Sequence, residues 1–361
     1  MTKTIVIATG GTGGHIFPGL AVADELIVKG YKIVWIGTRT GLEANLIPSH
    51  NIDIYYITIA GIRGKAWSAQ VLALFNILVA IFQSITILYK LNPCAVLGMG
   101  GFVAGPVGIA AWLLRKKLII HEQNAIAGTC NRILAYFADG VLESFPDSFM
   151  LNNRHKNKII LTGNPVRKNL LNSLAVVDNI LKQDRLFNIL VLGGSRGATF
   201  LNQLVPEALG ELANIKILHQ TGEQDFNTTY NLYSHKNIKN VHEIKPFIDN
   251  MLAAYAMADL VICRAGASTV FEIMAMGIAS ILVPLPGAID DHQTKNAAYL
   301  ANNNAAIVVK QAELNAAILR DLVMQLIADH NRLAAIKAAA RSLYEPYKLN
   351  NSAERISNLV Q

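Results

Sequence analysis

Three glycine-rich turns follow apolar strands in this sequence, and each has the residue types of an anion-binding turn. The first occurs in residues 4–18, TIVIATGGTGGHIFP, where four apolar residues lead into four glycines and then His15. Glycine allows positive φ and a close approach of the backbone to a ligand. The helix start that follows offers unpaired N–H groups carrying a partial positive charge. One such turn can also serve only to pack a helix on a strand, so its repetition is the stronger signal.

The turn recurs in residues 95–106, AVLGMGGFVAGP, and in residues 187–198, FNILVLGGSRGA. Placing Gly10-Gly11-Thr12 on Gly193-Gly194-Ser195 also aligns the two preceding strands, at an offset of about half the chain. Strands that alternate with helices at short spacing form parallel sheets with right-handed crossovers. The sequence therefore predicts two similar α/β domains in tandem, with a boundary near residue 164.

Polar residues gather directly after a predicted strand in the first half. Residues 118–128, LIIHEQNAIAG, place His121, Glu122, Gln123 and Asn124 at the end of that strand. Ligands bind at the carboxyl ends of strands in parallel sheets. Packing explains four polar residues there poorly, so we expect a binding edge; a turn whose side chains satisfy one another is the alternative.

The second half has a comparable turn in residues 264–272, RAGASTVFE. Gly266 permits close backbone approach, and Ser268 can cap the helix that follows. The carboxylate of Glu272 can accept both hydroxyls of a ribose while the helix start faces a diphosphate. Helix capping alone remains the simpler alternative.

A further polar run opens a helix in residues 284–297, PLPGAIDDHQTKNA. Amide and imidazole groups suit sugar hydroxyls, and helix capping accounts for only one or two of the five polar residues. These five are Asp290, Asp291, His292, Gln293 and Asn296.

Composition narrows the class of protein. The 361 residues are 52% hydrophobic and 16% charged, and the formal net charge is +7. The charge favours an anionic partner, but the absence of a basic-aromatic run argues against nucleic acid. Three scattered cysteines fit a reducing compartment, and we expect no secretory signal because the chain begins with a strand. No P-loop, GxGxxG, HExxH or GxSxG motif occurs, which disfavours ATPase, dehydrogenase, metalloprotease and serine-hydrolase functions.

The most apolar segment is Ser68–Leu91, whose longest unbroken apolar run is far shorter than the ~18 residues of a membrane span. Asn76, Gln83 and Lys90 recur every seven residues and predict a narrow polar stripe on a helix. Two alternatives remain open. The first is a core helix between a sheet and its neighbours. The second is a helix with one apolar side on a membrane surface, with Trp67, Trp112 and the basic residues 115–117 near the headgroups.

Seven motifs occur in a fixed order: GGTGGHIFPGLA, GMGGFVAGP, HEQNAIAG, GNPVR, GGSRGA, RAGASTVFE and DHQTKNA. Together they closely resemble the MurG family of peptidoglycan N-acetylglucosaminyltransferases, from residue 5 to about residue 300. The resemblance implies an α/β fold of the GT-B class, with two Rossmann-like parallel-sheet domains facing across a cleft. Residues 1–163 would form an acceptor and membrane-facing domain and residues 164–342 a donor domain. A C-terminal helix of about 343–361 would pack back on the first.

The resemblance also implies a reaction. This family transfers N-acetylglucosamine from UDP-N-acetylglucosamine to the C4 hydroxyl of the muramoyl sugar of lipid I, with inversion, and forms lipid II for the cell wall. The implied partners are UDP-N-acetylglucosamine, undecaprenyl-diphosphate-linked lipid I and the anionic cytoplasmic face of the inner membrane, where the chain would be peripheral. No cofactor, metal or nucleic acid is implied. A UDP-sugar transferase or epimerase with a soluble substrate, and a non-catalytic nucleotide-sugar binding module, are the alternatives.

Site residues follow from the same resemblance, motif by motif. The expected donor-binding residues are Thr12, Gly13, Gly14, Asn124, Arg167, Ser195, Ile244, Ser268, Glu272, His292 and Gln293. The glycines expected at the acceptor diphosphate are Gly11, Gly13, Gly14, Gly100 and Gly101. An imidazole titrates near neutral pH, and His15 follows a glycine turn, so His15 is the predicted base. A role limited to hydrogen bonding is the alternative for His15, and Glu122 is the alternative base.

Overall fold

A computed structural model describes residues 2–59, 67–152, 156–167, 170, 186–193, 197–235, 238, 241–348 and 351–361. Of residues 67–74, 235, 241, 289 and 348 it describes the backbone only. The chain divides into two compact units. The N-terminal unit comprises residues 1–167 and 350–361, and the C-terminal unit comprises residues 168–349.

The N-terminal unit is built on a seven-stranded parallel sheet in the order β3-β2-β1-β4-β5-β6-β7. Its strands are β1 (Thr4–Ala8), β2 (Lys32–Gly37), β3 (Asp53–Tyr56), β4 (Ala95–Gly98), β5 (Lys117–Glu122), β6 (Gly140–Glu143) and β7 (Ile159–Leu161). β1 is central, and its Val6 pairs with Val34 on one side and Val96 on the other. Runs of β-branched residues suit strands covered on both faces.

Helices cover both faces of this sheet. They are α1 (Gly13–Val28), α2 (Glu43–Ser49), α3 (Trp67–Leu91), α4 (Gly101–Leu113) and α5 (Thr129–Leu134). Alternate residues of β1 enter separate cores, because successive side chains of a strand point to opposite faces. Val6 lies in one core with residues of α3, α4 and α5, while Ile5 and Ile7 lie in the other with Trp35 and residues of α1.

The C-terminal unit repeats the plan with a six-stranded parallel sheet in the order β10-β9-β8-β11-β12-β13. Its strands are β8 (Phe187–Leu192), β9 (Ile215–Gln220), β10 (Val241–Lys245), β11 (Leu260–Cys263), β12 (Ala279–Leu282) and β13 (Ile307–Val308). Its helices are α6 (Thr199–Leu209), α7 (Phe226–His235), α8 (Met251–Met257), α9 (Ala267–Met276), α10 (His292–Ala301), α11 (Ala316–Ala328) and α12 (His330–Lys348). Short 3₁₀ turns occupy Ile289–Asp291 and Gln311–Glu313.

The strand order reverses at the same place in both sheets. Chain order runs outward from β1 through β2 and β3, then resumes at β4 on the other side of β1; β8 and β11 have the same relation. Crevices at such switch points, outside the carboxyl ends of the strands, bind ligands in doubly wound folds. The predicted fold class of two Rossmann-like parallel sheets is confirmed. All four loops at these points were singled out above: three are the glycine-rich turns after β1, β4 and β8, and the fourth is the RAGASTVFE motif after β11.

The C-terminal end differs from the single expected helix over about 343–361. α12 ends at Lys348 and packs on α9, and a separate helix, α13 (Ser352–Val360), packs on α1. The Asn351 side-chain oxygen accepts the N–H groups of Ala353 (2.7 Å) and Glu354 (3.3 Å), which caps the new helix. The last helix therefore belongs to the N-terminal unit.

Among the described residues, no helix is both long enough and apolar enough to cross a membrane.

Candidate active site

The loop after β1 leads directly into α1. Gly11 has φ +102°, and Thr12 is the N-cap of a helix that begins at Gly13. The first N–H groups of a helix have no acceptor within the helix, so they point out of its N-terminus. Of the predicted residues, Thr12, Gly13, Gly14 and His15 lie together at this helix start.

A buried carboxylate holds this loop. Glu43, fully buried at the start of α2, accepts the Gly11 N–H over 3.0 Å with one oxygen. Its other oxygen accepts the N–H (2.9 Å) and the hydroxyl (2.7 Å) of Thr38 after β2. Because the Gly11 N–H already donates to Glu43, a ligand at this loop would take N–H groups from the residues that follow.

The second glycine turn packs against His15. Gly100 has φ +82°, and a Cβ there would lie 3.1 Å from His15 Nδ1. Gly101 has φ +75°, and its Cβ would lie 2.7 Å from the Gly10 carbonyl oxygen. The Thr9 hydroxyl donates to the Gly100 carbonyl over 3.0 Å. These glycines are required because the two loops at the switch point lie in contact.

His15 belongs to a buried hydrogen-bond chain. Its Nδ1 lies 2.7 Å from Gln123 Oε1, and Gln123 Nε2 donates to the Met99 carbonyl over 3.1 Å. Gln123 Nε2 also lies 2.9 Å from His121 Nδ1, and His121 Nε2 lies 3.1 Å from the Gly163 carbonyl. Burial lowers the pKa of His121 to about 4, so its imidazole is neutral at pH 7.

Glu122 is occupied by its own loop. One oxygen accepts the Asn124 N–H (3.0 Å) and side-chain amide (3.1 Å), and the other accepts the Gly128 N–H (3.0 Å) and the Asn131 amide (2.9 Å). Glu122 is 2% exposed. These four bonds make it an organiser of the loop that places Asn124. Its role as the alternative base stays a prediction with less structural support than that of His15.

Arg167 lies beside α1. Its guanidinium carbon is 5.4 Å from the centre of the Phe17 ring, within the range of a cation–π contact. The GNPVR motif thus brings its arginine to the same helix as His15 within the N-terminal unit.

In the C-terminal unit, α9 carries two predicted donor residues. Glu272 is 6% exposed and accepts the Tyr255 hydroxyl over 2.9 Å. Ser268, in the first turn, has a buried hydroxyl without a hydrogen-bond partner among the described residues. Gly266 is the N-cap of this helix, with φ −67° and ψ 141°.

Gln293 joins two strand ends. Its side-chain oxygen accepts the N–H of Ala265 (3.2 Å) after β11 and that of Leu285 (3.0 Å) after β12. Asn296, fully buried, donates to the Ala265 carbonyl over 3.1 Å. His292 is the first residue of α10 and follows Asp290 and Asp291, which both adopt left-handed backbone conformations. Backbone of this kind in non-glycine residues concentrates at functional sites.

Arg264 connects the residues that follow β12 to the 3₁₀ turn that begins at Gln311. Its guanidinium donates to the carbonyls of Val283 (3.1 Å) and Pro284 (3.3 Å) and to the Gln311 side chain (2.7 Å). Its Nε is buried without a partner among the described residues.

The remaining predicted donor residues of the C-terminal half are Ser195 and Ile244. Ser195 lies outside the described residues. Ile244, in β10 near the sheet edge, is partly buried against the core of the C-terminal unit. Among the residues that the structure does describe, no group of three or more His, Cys, Asp or Glu could hold a metal ion.

Sequence reasoning missed Glu43 and gave Gln123 no role. No motif surrounds Glu43, although Gly10, Gly37 and Gly41 leave the space that its side chain fills. Gln123 stood out only as one of four polar residues at the end of β5, and its partner His15 is 108 positions away in the sequence.

Comparison with known proteins adds to this geometry. Residues 5–143 match the family model described as "Glycosyltransferase family 28 N-terminal domain". Residues 188–356 match the model described as "Glycosyltransferase family 28 C-terminal domain". A Nitrosococcus oceani relative, the UDP-N-acetylglucosamine--N-acetylmuramyl-(pentapeptide) pyrophosphoryl-undecaprenol N-acetylglucosamine transferase, is 44% identical over 358 residues. That alignment covers 98% of each protein.

Solved structures of similar proteins agree with this family assignment. The crystal structure of Acinetobacter baumannii MurG matches with a TM-score of 0.81 and 38% identity, over 99% of both chains. The calicheamicin glycosyltransferase CalG4 matches with a TM-score of 0.69 over 99% of this chain and 97% of its own, at 14% identity, and so supports the fold alone. The resemblance inferred from the seven motifs is confirmed: the chain belongs to glycosyltransferase family 28 and, within it, to the MurG family.

Proposed function

We propose that this chain transfers N-acetylglucosamine from UDP-N-acetylglucosamine to the C4 hydroxyl of the muramoyl sugar of lipid I, giving lipid II with inversion at the anomeric carbon. The observation that carries the proposal is the 44% identity over 98% of both chains to a transferase whose name states this donor and acceptor. The site residues then have assignable roles.

The acceptor side is assigned to the N-terminal unit. An inverting displacement needs the acceptor hydroxyl aligned with the anomeric carbon, and a base for its proton. His15 supports this role because its Nδ1 is held by Gln123, while its Nε2 makes no hydrogen bond with any residue the structure describes. The C4 oxygen bonds to the anomeric carbon, its proton passes to His15 Nε2, and the bond to UDP breaks.

The acceptor diphosphate is assigned to the two glycine turns around His15. The helix starts of α1 and α4 direct N–H groups to this edge, and a diphosphate is favoured at such a terminus. Gly13, Gly14, Gly100 and Gly101 would approach the phosphates. Gly11 would contribute backbone space, since its N–H donates to Glu43.

The donor side is assigned mainly to the C-terminal unit. Glu272 would accept the ribose hydroxyls, and Ser268 would donate its unpartnered hydroxyl to the donor. His292 and Gln293 would bind the sugar. The remaining donor contacts are proposed for Ser195, Ile244 and Arg167, with Asn124 and the Thr12–Gly14 loop at the sugar. UDP leaves as an anion, so helix-start N–H groups near it would stabilise the transition state.

An exposed apolar surface on α3 supports the proposed peripheral placement on the membrane. Phe75, Leu78, Phe82 and Tyr89 are each more than 60% exposed, and their spacing puts them on one side of the helix. Gln83, from the predicted polar stripe, instead bonds to the Thr58 N–H (2.7 Å). An exposed apolar side of this kind marks an interaction surface, and the net charge of +7 favours an anionic membrane on the cytoplasmic side.

The reaction is tested with labelled UDP-N-acetylglucosamine and a lipid I analogue. We expect label in the lipid product and one UDP released per transfer. A muramoyl sugar without the lipid diphosphate serves as the matched acceptor. Efficient use of that soluble acceptor alone would favour the soluble-substrate alternative, and tight UDP binding without transfer would favour a binding module.

Membrane contact is tested by flotation with vesicles containing anionic lipid. Burial of one phenylalanine contributes about 1.5–3 kcal/mol, so Phe82→Ser should weaken binding by roughly tenfold or more. Tyr230→Ser, at a 54% exposed aromatic in the C-terminal unit, is the control and should bind like the unsubstituted chain. A chain that does not float with anionic vesicles would refute the membrane contact.

A further inference from the structure

The hydrogen-bond chain behind His15 has a defined direction. It starts from the Met99 carbonyl, which can only accept, so the Gln123 atom 3.1 Å away must be the amide nitrogen. The other end of the same amide, 2.7 Å from His15 Nδ1, must then be the oxygen. An oxygen that can only accept requires a proton on His15 Nδ1.

The hydrogen-bond chain continues from Gln123 to His121. Its amide nitrogen lies 2.9 Å from His121 Nδ1 and donates to it, so that His121 Nδ1 carries no proton. His121 Nε2 then carries the proton and donates to the Gly163 carbonyl over 3.1 Å. Both ends of the chain are backbone carbonyls, and each fixes the same arrangement of protons.

We propose that Gln123 is a positioning residue that holds His15 as the Nδ1–H tautomer, which leaves the Nε2 lone pair to accept the proton of the acceptor hydroxyl. The inference rests on the proposed function, in which His15 is the base. Gln123 does not contact substrate in this assignment. It acts through the imidazole, as the buried carboxylate does in a serine-protease triad, but with a neutral amide oxygen.

The surroundings of Gln123 suit this role. The side chain is 1% exposed, so water does not compete for its amide, and burial keeps His121 neutral, with its pKa near 4. Gly100 leaves room for the bond, because a Cβ there would lie 3.1 Å from His15 Nδ1 and 3.3 Å from Gln123 Oε1. A residue whose rotamer is fixed by two further hydrogen bonds orients its partner accurately.

The tautomer is measured directly. Two-bond ¹H–¹⁵N correlation spectra of protein labelled with ¹⁵N-histidine distinguish the protonated from the unprotonated ring nitrogen at pH 8, and loss of one signal set in His15→Gln assigns His15. We expect a protonated Nδ1 and an unprotonated Nε2. A proton on Nε2 in the unsubstituted protein would overturn the inference, and this result requires no variant of Gln123 to fold.

Gln123→Met keeps the length of the side chain and removes its hydrogen bonds. We expect the His15 signals to move towards an Nε2–H mixture and kcat to fall by about tenfold or more, with KM for UDP-N-acetylglucosamine changed by less than about threefold. Gln83→Met makes the same substitution at a glutamine bonded to Thr58 and should leave the His15 signals and kcat unchanged. An unchanged His15 tautomer in Gln123→Met would overturn the inference.

The two proposals fail separately. If Gln123→Met shifts the tautomer while kcat stays normal, His15 is not the base and the proposed mechanism fails, although Gln123 still fixes the ring. If the Nδ1–H tautomer is found but lipid I is not glycosylated, the proposed reaction fails and the positioning by Gln123 stands.

Discussion

The loops after β1 and β8 are equivalent in the two sheets, yet they are supported differently. A carboxylate that follows the next strand supports each one: Glu43 after β2, and Asp225 after β9. Glu43 is fully buried and bonds to the loop backbone itself, at the Gly11 N–H. Asp225 is partly exposed and accepts from the side chains of Thr199 (2.7 Å) and Asn202 (2.9 Å) at the start of α6.

The residue after each loop explains the difference. The alignment that places Gly10 on Gly193 also places His15 on Ala198, a residue that is only 5% exposed. The N-terminal loop therefore presents an imidazole. Under the proposed mechanism its backbone must be fixed, because catalysis depends on placement to within a fraction of an ångström. In the C-terminal unit the carboxylate instead secures the helix start through the side chains of Thr199 and Asn202.

The largest effect should follow from His15 itself. His15→Gln keeps a polar side chain but removes the base, and general-base catalysis contributes about 10²- to 10⁴-fold. We expect kcat for transfer to the lipid I analogue to fall in that range, measured by release of UDP. Calorimetric affinity for UDP, assigned to the C-terminal unit, serves as the control and should change by less than about threefold. A His15→Gln enzyme with near-normal kcat would refute both the base and the contrast with Ala198.

The next largest effect should be a difference in stability between variants of the two supporting carboxylates, Glu43 and Asp225. In Glu43→Gln one acceptor oxygen becomes an NH₂ group facing an N–H donor, so a buried donor loses its partner at a cost of about 1–3 kcal/mol. Asp225→Asn keeps an oxygen for Thr199 and Asn202, so we expect a loss within about 0.5 kcal/mol. Denaturant unfolding measures both. Equal losses in the two variants would contradict the different roles of the two supports.

Much of this fold was predictable from local pattern. Residues 5–7 and 189–191 are apolar runs followed within three residues by glycine pairs, and both lie in central parallel strands. Polar residues 121–124 were correctly placed at the carboxyl end of β5, whose last two residues are His121 and Glu122. The break between α12 and α13 was missed, although Asn350-Asn351-Ser352 contains the capping residue that starts α13.

In the described part of each unit one histidine is fully buried and neutral, His121 and His219, and these should make both units sensitive to acid. Burial lowers the pKa of His121 to about 4 and that of His219 to about 3, from an ordinary value of 6.5. The unfolded chain therefore binds more protons below pH 6.5, and stability is lost as the pH falls through the window from 6.5 to these values. From pH 8 to pH 5 the expected loss is about 2 kcal/mol for each histidine.

The acid sensitivity of the two units is compared with one histidine variant in each unit. His121→Gln should remove the acid-sensitive part of unfolding for the N-terminal unit, and His219→Gln that for the C-terminal unit. Denaturant unfolding at pH 5, 6, 7 and 8 measures the slopes. Slopes that are unchanged in both variants would show that these imidazoles do not control acid stability.

The site was less predictable than the fold because its bonds join distant parts of the chain. His15 and Gln123 are 108 positions apart, and Gly11 and Glu43 are 32 apart. Neither pair forms a spacing pattern, since helical and strand periodicities reach only a few residues. Strand order decides which loops meet, and the meeting of the β1 and β4 loops brings Gly100 to His15.

The smallest effects should come from the second loop of each sheet, after β4 and after β11. Gly100 has φ +82° and its Cβ would press on His15 Nδ1, whereas Gly266 has φ −67° and its Cβ would have no neighbour closer than 4.0 Å. Alanine at a positive φ is strained, so Gly100→Ala should cost about 1–2 kcal/mol and lower kcat through His15.

Gly266→Ala should leave stability within about 0.5 kcal/mol, because among the described residues the nearest atom to the added methyl group is Thr269 Oγ1, at 4.0 Å. If the loop after β11 approaches the donor closely, the same methyl group should raise KM for UDP-N-acetylglucosamine without changing unfolding. In the N-terminal unit the glycine is thus required by a neighbouring side chain, and in the C-terminal unit only a ligand would require it. A Gly266→Ala enzyme with unchanged KM would show that the donor backbone contact lies elsewhere, and a destabilised one would show that the protein itself requires that glycine.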